Sequence, residues 1–215
     1  MKIRTAEQLV DAVDADLSWR RKELTDIRYL IQQSATSRTR QLVMTRSGIA
    51  LLYAHWEGFT KATAEAYLEF VSMQRCKNSE LARNMLAIVV RSKLKAAQNS
   101  KKISAHLDVV DFFRGEMEER CLMPYKNAIR TEANLSSTVL TDILKTLGMD
   151  TTEYELKAHL IDNQLLAKRN HIAHGNELDV NEDDYLRLHD DIMMLMNLLR
   201  NQVQNAAVTG EYLYH

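Results

Sequence analysis

Segment 169–175, RNHIAHG, carries the residue types in this chain best suited to chemistry on a negatively charged substrate. A guanidinium such as that of Arg169 binds phosphate through two parallel hydrogen bonds. A free imidazole, with a pKa of about 6.5, exchanges protons near neutral pH. Arg169 and His174 therefore predict a compact cationic pocket that suits a phosphodiester and acts by general acid–base catalysis. A structural interpretation also exists, because basic side chains favour the negative end of a helix dipole and Gly175 is a typical helix terminator.

Helix geometry limits how Arg169 and His174 could act together. On an ideal helix, residues five positions apart point about 140° away from each other, so they cannot share one face. Either His174 swings round where the chain unwinds toward Gly175, or two such helix ends meet across a two-fold axis and build one pocket. The second arrangement predicts a homodimer with segments 169–175 at or near the axis.

Other kinds of site have little support in the sequence. His171 and His174 are three residues apart and could bind a metal, but no carboxylate or third histidine follows at matching helical spacing. The chain has no Glu-x-x-His pair, no His-Glu-x-x-His motif, no phosphate-binding glycine loop and no Cys-x-x-Cys motif. We therefore expect no metal and no cofactor.

The composition favours an all-α protein. With 28 basic and 29 acidic residues, the net charge of −1 indicates neither a nucleic-acid nor a membrane partner. One proline and six glycines in 215 residues favour long helices over a sheet built on tight turns. The two cysteines, Cys76 and Cys121, are too few for a disulfide scaffold. No signal sequence and no apolar run of about 20 residues is present, so we expect a soluble, cytoplasmic protein.

The order of periodic and polar segments predicts one helical bundle over residues 1–215, without an internal repeat. Segment 121–135 holds the only proline, Pro124, and is the least regular part. Two long helices carry a buried apolar stripe. The predicted helices cover 6–33 (with Thr5 as N-cap), about 42–74, 78–98 (with Asn78 or Ser79 as cap), 103–120, 136–148, 151–175, and about 182 onward. The stripes are Leu42, Ile49, Leu52, Trp56, Phe59, Ala66, Tyr67 and Phe70, and then Tyr185, Leu188, Ile192, Leu195, Met196, Leu199 and Val203.

In this context RNHIAHG resembles the signature of the HEPN superfamily. In that signature an Arg, often followed by Asn, Asp or His, precedes a His by four to six intervening residues, and here four intervene. Segment 48–71, GIALLYAHWEGFTKATAEAYLEFV, resembles the aromatic-rich second helix of stand-alone prokaryotic HEPN-like nucleases, with its His-Trp-Glu core. The resemblance covers most of the chain. It implies an all-α, up-and-down HEPN-like bundle with long helices and extra short ones.

The resemblance also implies an activity, because many HEPN proteins are metal-independent endoribonucleases that act as symmetric dimers in toxin–antitoxin pairs, phage defence and RNA processing. Arg169 would neutralise the scissile phosphate, His174 would be the general base or acid, and Asn170 would orient one or the other. His55 or Glu57 would border the pocket, with His171 as a neighbour. The implied partners are an RNA substrate, a second copy and a cognate antitoxin or operon partner.

Alternatives stay open for the function and for several residues. Some superfamily members are non-catalytic, so the chain could be a nucleotide-binding or interaction module that partners a protein such as a nucleotidyltransferase. The presence of both Arg169 and His174 favours an active enzyme. Structurally, Trp56 is expected in the core, and Glu57 could form a surface ion pair with Lys61 one turn later.

Two basic clusters are candidates for RNA contact or, more simply, cationic helix surfaces. Three methionines of the last helix are expected to fill the core. The stronger basic cluster is Arg91, Lys93, Lys95, Lys101 and Lys102; the weaker is Arg38, Arg40 and Arg46; the methionines are Met193, Met194 and Met196.

Overall fold

The computed structural model describes residues 2–126, 128–132 and 134–214, and this part of the chain is helical and contains no β-strand, which confirms the all-α prediction. Short 3-10 turns and one π-helical segment connect or extend the α-helices. The α-helices are α1 (Ala6–Gln33), α2 (Arg38–Met73), α3 (Arg83–Gln98), α4 (Ile103–Arg114), α5 (Ser137–Leu147), α6 (Thr152–Leu156), α7 (Ala167–Ala173) and α8 (Glu182–Thr209). The 3-10 turns are Ser34–Thr36, Asn78–Glu80 and Glu116–Glu118, and the π-helical segment is Leu160–Leu166.

Helix α2 is the centre of the bundle, packed against α1 and α8 along most of its length and against α5 and α7 elsewhere. The stripe predicted for it is buried except at Leu42 and Ala66, which are partly exposed. Burial extends to other faces, for example at Tyr53 and Thr63, because neighbours surround the helix. A one-stripe pattern therefore understates how enclosed α2 is.

The stripe predicted for α8 is confirmed, since all seven of its residues are buried. Met196 fills the core as expected, and Met193 is half-buried. Met194 is 43% exposed, so its predicted core role is wrong. Residues 194 and 196 point about 200° apart around a helix, so Met194 faces away from the side on which Met196 is buried.

Several helix ends follow from local chemistry. The hydroxyl of Thr5 accepts a hydrogen bond from the Gln8 N–H at 3.2 Å, which confirms the predicted N-cap of α1. The side chain of Asn181 caps α8 in the same way. At the C-terminal end of α5, Gly148 adopts a left-handed conformation with φ 78°, as a helix-terminating glycine does.

Two predicted helices are shorter than their sequence patterns. The helix predicted over 103–120 ends at Arg114, and the 3-10 turn Glu116–Glu118 follows, where Lys93 binds the Glu116 carboxylate at 2.7 Å. The helix predicted from Asn78 begins only at Arg83. Asn78 instead donates its side-chain amide to the Glu116 carbonyl at 2.8 Å, so a long-range bond replaces the predicted cap.

The helix predicted over 151–175 is also interrupted. Helix α6 ends at Leu156, a turn follows at Lys157, and a π-helical segment leads into α7. Lys157 binds Asp191 of α8 at 2.8 Å, and Asp162 accepts bonds from the N–H and hydroxyl of Ser137 at 2.7 and 2.5 Å. These tertiary bonds accompany the irregular turns, and π-helical segments of this kind are frequent at functional sites.

Within the described residues, no helix combines the length and apolar character needed to cross a bilayer.

Candidate active site

Helix α7 ends in a motif that leaves His174 just outside the helix. The N–H groups of His174, Gly175 and Asn176 donate to the carbonyls of residues 170, 172 and 171, each at 3.0 Å. Gly175 has φ 73°, which confirms it as the left-handed terminator. This Schellman-type ending satisfies the last carbonyls of the helix. The His174 side chain is exposed, as is that of His171, whereas Asn170 is half-buried.

Arg169 is held against α2. Its guanidinium carbon lies 3.8 Å from the centre of the Tyr53 ring, and its Nη2 lies 4.0 Å from Oε2 of Glu57. The Arg169 and Glu57 side chains are 20% and 22% exposed. Stacking a guanidinium on an aromatic face contributes about 0.5–2 kcal/mol, more as water is excluded. Arg169 is therefore preoriented, with part of its surface open to a ligand.

Tyr53 is a site residue that the sequence motifs did not reveal. Its hydroxyl accepts a hydrogen bond from the Leu135 N–H at 2.7 Å, which ties the segment before α5 to α2. Burial raises the pKa of Tyr53, and the bond from Leu135 opposes this only partly, so the phenol stays protonated at neutral pH. The available signal was spacing, because Tyr53 and Glu57 lie four residues apart and so share a helix face.

Arg46 of the weaker basic cluster also reaches the motif. Its guanidinium donates to the Asn176 carbonyl at 2.9 Å, immediately after the turn at Gly175. Arg46, Tyr53 and Glu57 follow one line along α2, at intervals of seven and four. Their partners run in the opposite order, from Asn176 back to Arg169, so segment 169–176 lies antiparallel to this part of α2.

Glu57 forms an ion pair with Arg169. The alternative expectation was a surface ion pair between Glu57 and Lys61, and in the described part of the chain no ion pair joins these two residues. Trp56, next to it, is fully buried, as predicted for a core residue. Adjacent positions on α2 thus have separate roles, because consecutive residues point in different directions around a helix.

His55 does not join this site. It is 4% exposed and lies between α1 and α2, with Nε2 2.8 Å from the Glu23 carboxylate and Nδ1 3.4 Å from the Arg20 guanidinium. Residues 55 and 57 point about 200° apart on a helix, so His55 and Glu57 face different neighbours. Burial lowers the pKa of His55, and Glu23 opposes that change. Of the two residues expected to border the pocket, Glu57 lies beside Arg169 and His55 does not.

The stronger basic cluster belongs to a different helix pair. Its helix α3 packs against α4 and α5, whereas α7 packs against α2. Lys93 is engaged by Glu116 and lies 4.9 Å from the Phe112 ring centre, and Arg91 donates to the Ala128 carbonyl at 2.9 Å. Lys95, Lys101 and Lys102 are exposed. Two of the five cations therefore hold local structure.

In the weaker cluster, Arg38 and Asp179 are exposed and lie 3.7 Å apart, a separation at which a surface pair contributes little. Arg40 is exposed. Among the described residues, no group of three or more histidine, cysteine or acidic side chains is arranged to hold a metal ion.

Comparison with known proteins gives one family. The RiboL-PSP-HEPN family model matches residues 15–205, a span that includes α2, α7 and the complete motif at 169–175. Searches of curated proteins and of solved structures returned no match.

Proposed function

The chain belongs to the RiboL-PSP-HEPN family, and we propose that it is a metal-independent endoribonuclease whose catalytic pair is Arg169 and His174. Family membership supports a nuclease or nucleotide-binding role in general. The observation that carries the specific proposal is the placement of Arg169, stacked 3.8 Å from the Tyr53 ring centre beside a terminated helix that exposes His174. The guanidinium can bind the phosphate, and the imidazole can transfer protons, without a metal ion.

In the proposed reaction, Arg169 binds the scissile phosphate and stabilises the negative charge that grows on its oxygens. His174 takes the proton of the neighbouring 2′-hydroxyl, and the 2′-oxygen attacks phosphorus. The bond between phosphorus and the 5′-oxygen breaks, and this oxygen takes up a proton from water, while His174 returns to water the proton that it accepted. The products are a 2′,3′-cyclic phosphate upstream and a 5′-hydroxyl downstream. Asn170, half-buried beside Arg169, orients the phosphate or the imidazole.

We propose that the active form is a homodimer with the α7 ends near its two-fold axis. The single chain exposes both His171 and His174, so a second copy has access to them. A paired site would bring an arginine of one copy toward a histidine of the other. Light scattering at micromolar concentration should give twice the chain mass, and a monomer of full activity would contradict the shared site.

Cleavage of RNA in excess EDTA is the central test. Wild-type protein should cut RNA but not DNA, and the upstream product should carry the cyclic phosphate. His174→Ala should lose cleavage, whereas His171→Ala should keep most of it. These two histidines form a matched pair, because both are exposed at the end of α7. A requirement for metal, a 3′-hydroxyl product or full activity of His174→Ala would reject the mechanism.

One observation favours a second candidate, a non-catalytic interaction or nucleotide-binding module. The Glu57 carboxylate lies 4.0 Å from Arg169 and competes with an incoming phosphate for the same charge. Glu57→Gln separates the two functions, because it removes the competing charge and keeps the side-chain shape. A non-catalytic module (a silent module) would still not cleave RNA when it carries Glu57→Gln, and it would still bind its protein partner.

We further propose that residues 1–215 form one domain and act in the cytoplasm as a toxin–antitoxin or phage-defence effector. In support of one domain, the buried side chains of α1, α2, α3, α5 and α8 belong to one hydrophobic cluster. Expression without a cognate antitoxin should slow growth, and Arg169→Ala or His174→Ala should relieve the effect. Equal growth of the three strains at matched protein levels would favour the silent module.

A further inference from the structure

A second cationic site lies at the far end of α2. A cavity of about 210 Å³ is lined by Lys2, Arg4, Met73, Arg75 and Arg120, so four of its five lining residues are basic. We call this cavity the N-terminal basic pocket. Residue 73 is sixteen positions beyond residue 57, which corresponds to about 24 Å along α2 at 1.5 Å per residue. The pocket is therefore separate from the place where Glu57 meets Arg169.

Hydrogen bonds bring three chain segments together at this pocket. The Gln74 side chain donates to the Arg4 carbonyl at 3.1 Å, which ties the N-terminal segment to the end of α2. The Cys121 N–H donates to the Cys76 carbonyl at 2.8 Å, and an isolated antiparallel bridge joins residues 77 and 120. The convergence of basic side chains is thus built into the fold.

The backbone at Arg75 supplies an independent observation. Arg75 has φ 62°, in the left-handed region, directly after the C-cap of α2. Glycine is the usual residue at such a position, because the left-handed conformation is sterically unfavourable for residues that have a Cβ atom. An arginine here accepts that cost and carries a cation to the pocket. Strained backbone of this kind is concentrated at functional sites.

The four basic side chains that line the pocket are available to bind a ligand. Within the described ranges, no ion pair joins any of its four cations to a carboxylate. The nearby Glu118 is already bound to Lys77 at 3.0 Å. In a chain whose net charge is only −1, this is a local concentration of positive charge, which attracts an anion with more than one charge.

We propose that the N-terminal basic pocket binds adjacent phosphate groups of an RNA strand and anchors the substrate away from the cleavage site. The choice of RNA rests on the proposed function. The cavity volume favours binding of the phosphate backbone rather than enclosure of a whole nucleotide, because pockets that enclose drug-sized ligands measure about 300–1,000 Å³. A phosphate group enters the smaller space while the rest of the strand stays outside. Arginines suit this task because their guanidinium groups grip phosphate through two hydrogen bonds.

Binding is measured on the His174→Ala protein, so that cleavage does not interfere. Labelled single-stranded RNA is titrated at several salt concentrations and followed by fluorescence anisotropy. Adding Arg75→Gly and Arg120→Gln should weaken binding at least tenfold. It should also reduce the slope of log affinity against log salt by about 0.7 for each phosphate that the variant no longer binds. The matched control removes two other exposed cations, through Lys22→Gln and Lys145→Gln, and should change affinity less than twofold.

Arg75→Gly alone distinguishes a binding role from a structural one. Glycine keeps the left-handed conformation and relieves its strain, so thermal stability should rise while RNA affinity falls. Unchanged RNA affinity in this variant, or equal losses in the pocket and control variants, would overturn the proposal.

Competition with pyrophosphate and with a nucleoside triphosphate tests whether the pocket binds phosphates of an RNA strand or those of a free nucleotide. Competition of pyrophosphate with RNA, lost in the pocket variant, supports recognition of adjacent phosphates. Binding of the triphosphate with no effect of the pocket variant on RNA would show a free-nucleotide site and overturn the RNA assignment. If the pocket variants show RNA binding by the pocket but the wild-type protein does not cleave RNA, the nuclease proposal is rejected and this one stands.

Discussion

Two arginine–histidine groups in this molecule have the same residue types and opposite surroundings. Arg169 and His174 lie at the end of α7, where the histidine is exposed and the arginine is partly open. Arg20 and His55 lie between α1 and α2, where both residues are buried. The first group is accessible to a substrate and the second is closed to it.

The buried group is a packed structural network. Asp16 accepts a bond from Arg20 at 2.8 Å, and the Trp19 ring centre lies 4.5 Å from the Arg20 guanidinium. A Cβ added at Gly58 would come within 2.8 Å of the Arg20 guanidinium, so a glycine makes room for it. Buried polar groups are costly unless they are paired, and every partner here matters to the fold. Exposure distinguishes a site from a structural network when residue types cannot.

The largest expected effect falls on the open group. His174→Ala should lower the rate of RNA cleavage by about 10²–10⁴-fold, the usual contribution of a general acid or base. The melting temperature should change little, because the side chain is exposed. Cleavage rates and thermal melts of the same samples check both statements. A large drop in melting temperature would show that His174 is structural, like His55.

Arg169→Lys should have the next largest effect. One positive charge remains, but a lysine has neither the planar fork that grips phosphate nor the flat surface that stacks on Tyr53. We expect cleavage to fall about tenfold, equivalent to about 1.4 kcal/mol at the transition state. Arg20→Lys is the matched comparison, and its cleavage rate per folded molecule should equal that of the wild type. Full activity in Arg169→Lys would contradict bidentate phosphate binding.

In the buried group, removal of the Arg20 side chain should lower the free energy of unfolding. Arg20→Ala removes the guanidinium that binds Asp16 and lies beside His55, and breaking a buried ionic network costs about 3–5 kcal/mol. Because Asp16 keeps some access to water, we expect the lower end of that range for the free energy of unfolding. Urea denaturation measures it. Arg21→Ala is the control, since Arg21 is exposed and donates to the Asn197 side chain at 2.8 Å; an equal loss there would contradict the special role of Arg20.

The smallest expected effect is a pH dependence of stability from His55. Burial, the largest cause, lowers its pKa below the ordinary 6.5, and Arg20 adds to this while Glu23 and Asp16 oppose it. The unfolded chain therefore binds a proton more readily than the folded one as pH falls below about 6.5. This contribution to stability is complete above that pH and is lost as pH falls through the folded-state pKa.

Comparison of wild type with His55→Gln, unfolded in urea between pH 5 and pH 8, isolates that contribution. The wild type should lose more stability on acidification than the variant does. A parallel loss in the two proteins would show that His55 does not carry the effect.

The sequence by itself determined the local features of this protein. Thr5 and Asn181 begin helices, and Gly148 and Gly175 end them, because capping and left-handed turns depend on a few adjacent residues. The apolar spacing of α8 determined its buried face, and the spacing in 169–175 indicated the HEPN family. These features need only neighbours along the chain.

Tertiary structure decided which residues meet. His55 and Glu57 are two positions apart, yet one contacts α1 and the other contacts Arg169, because the neighbours on opposite sides of α2 differ. Tyr53 became a site residue only when α7 packed over it. The N-terminal basic pocket joins residues as far apart as Lys2 and Arg120. Helical periodicity specifies directions around one helix axis, but the partner in each direction depends on how the distant helices pack.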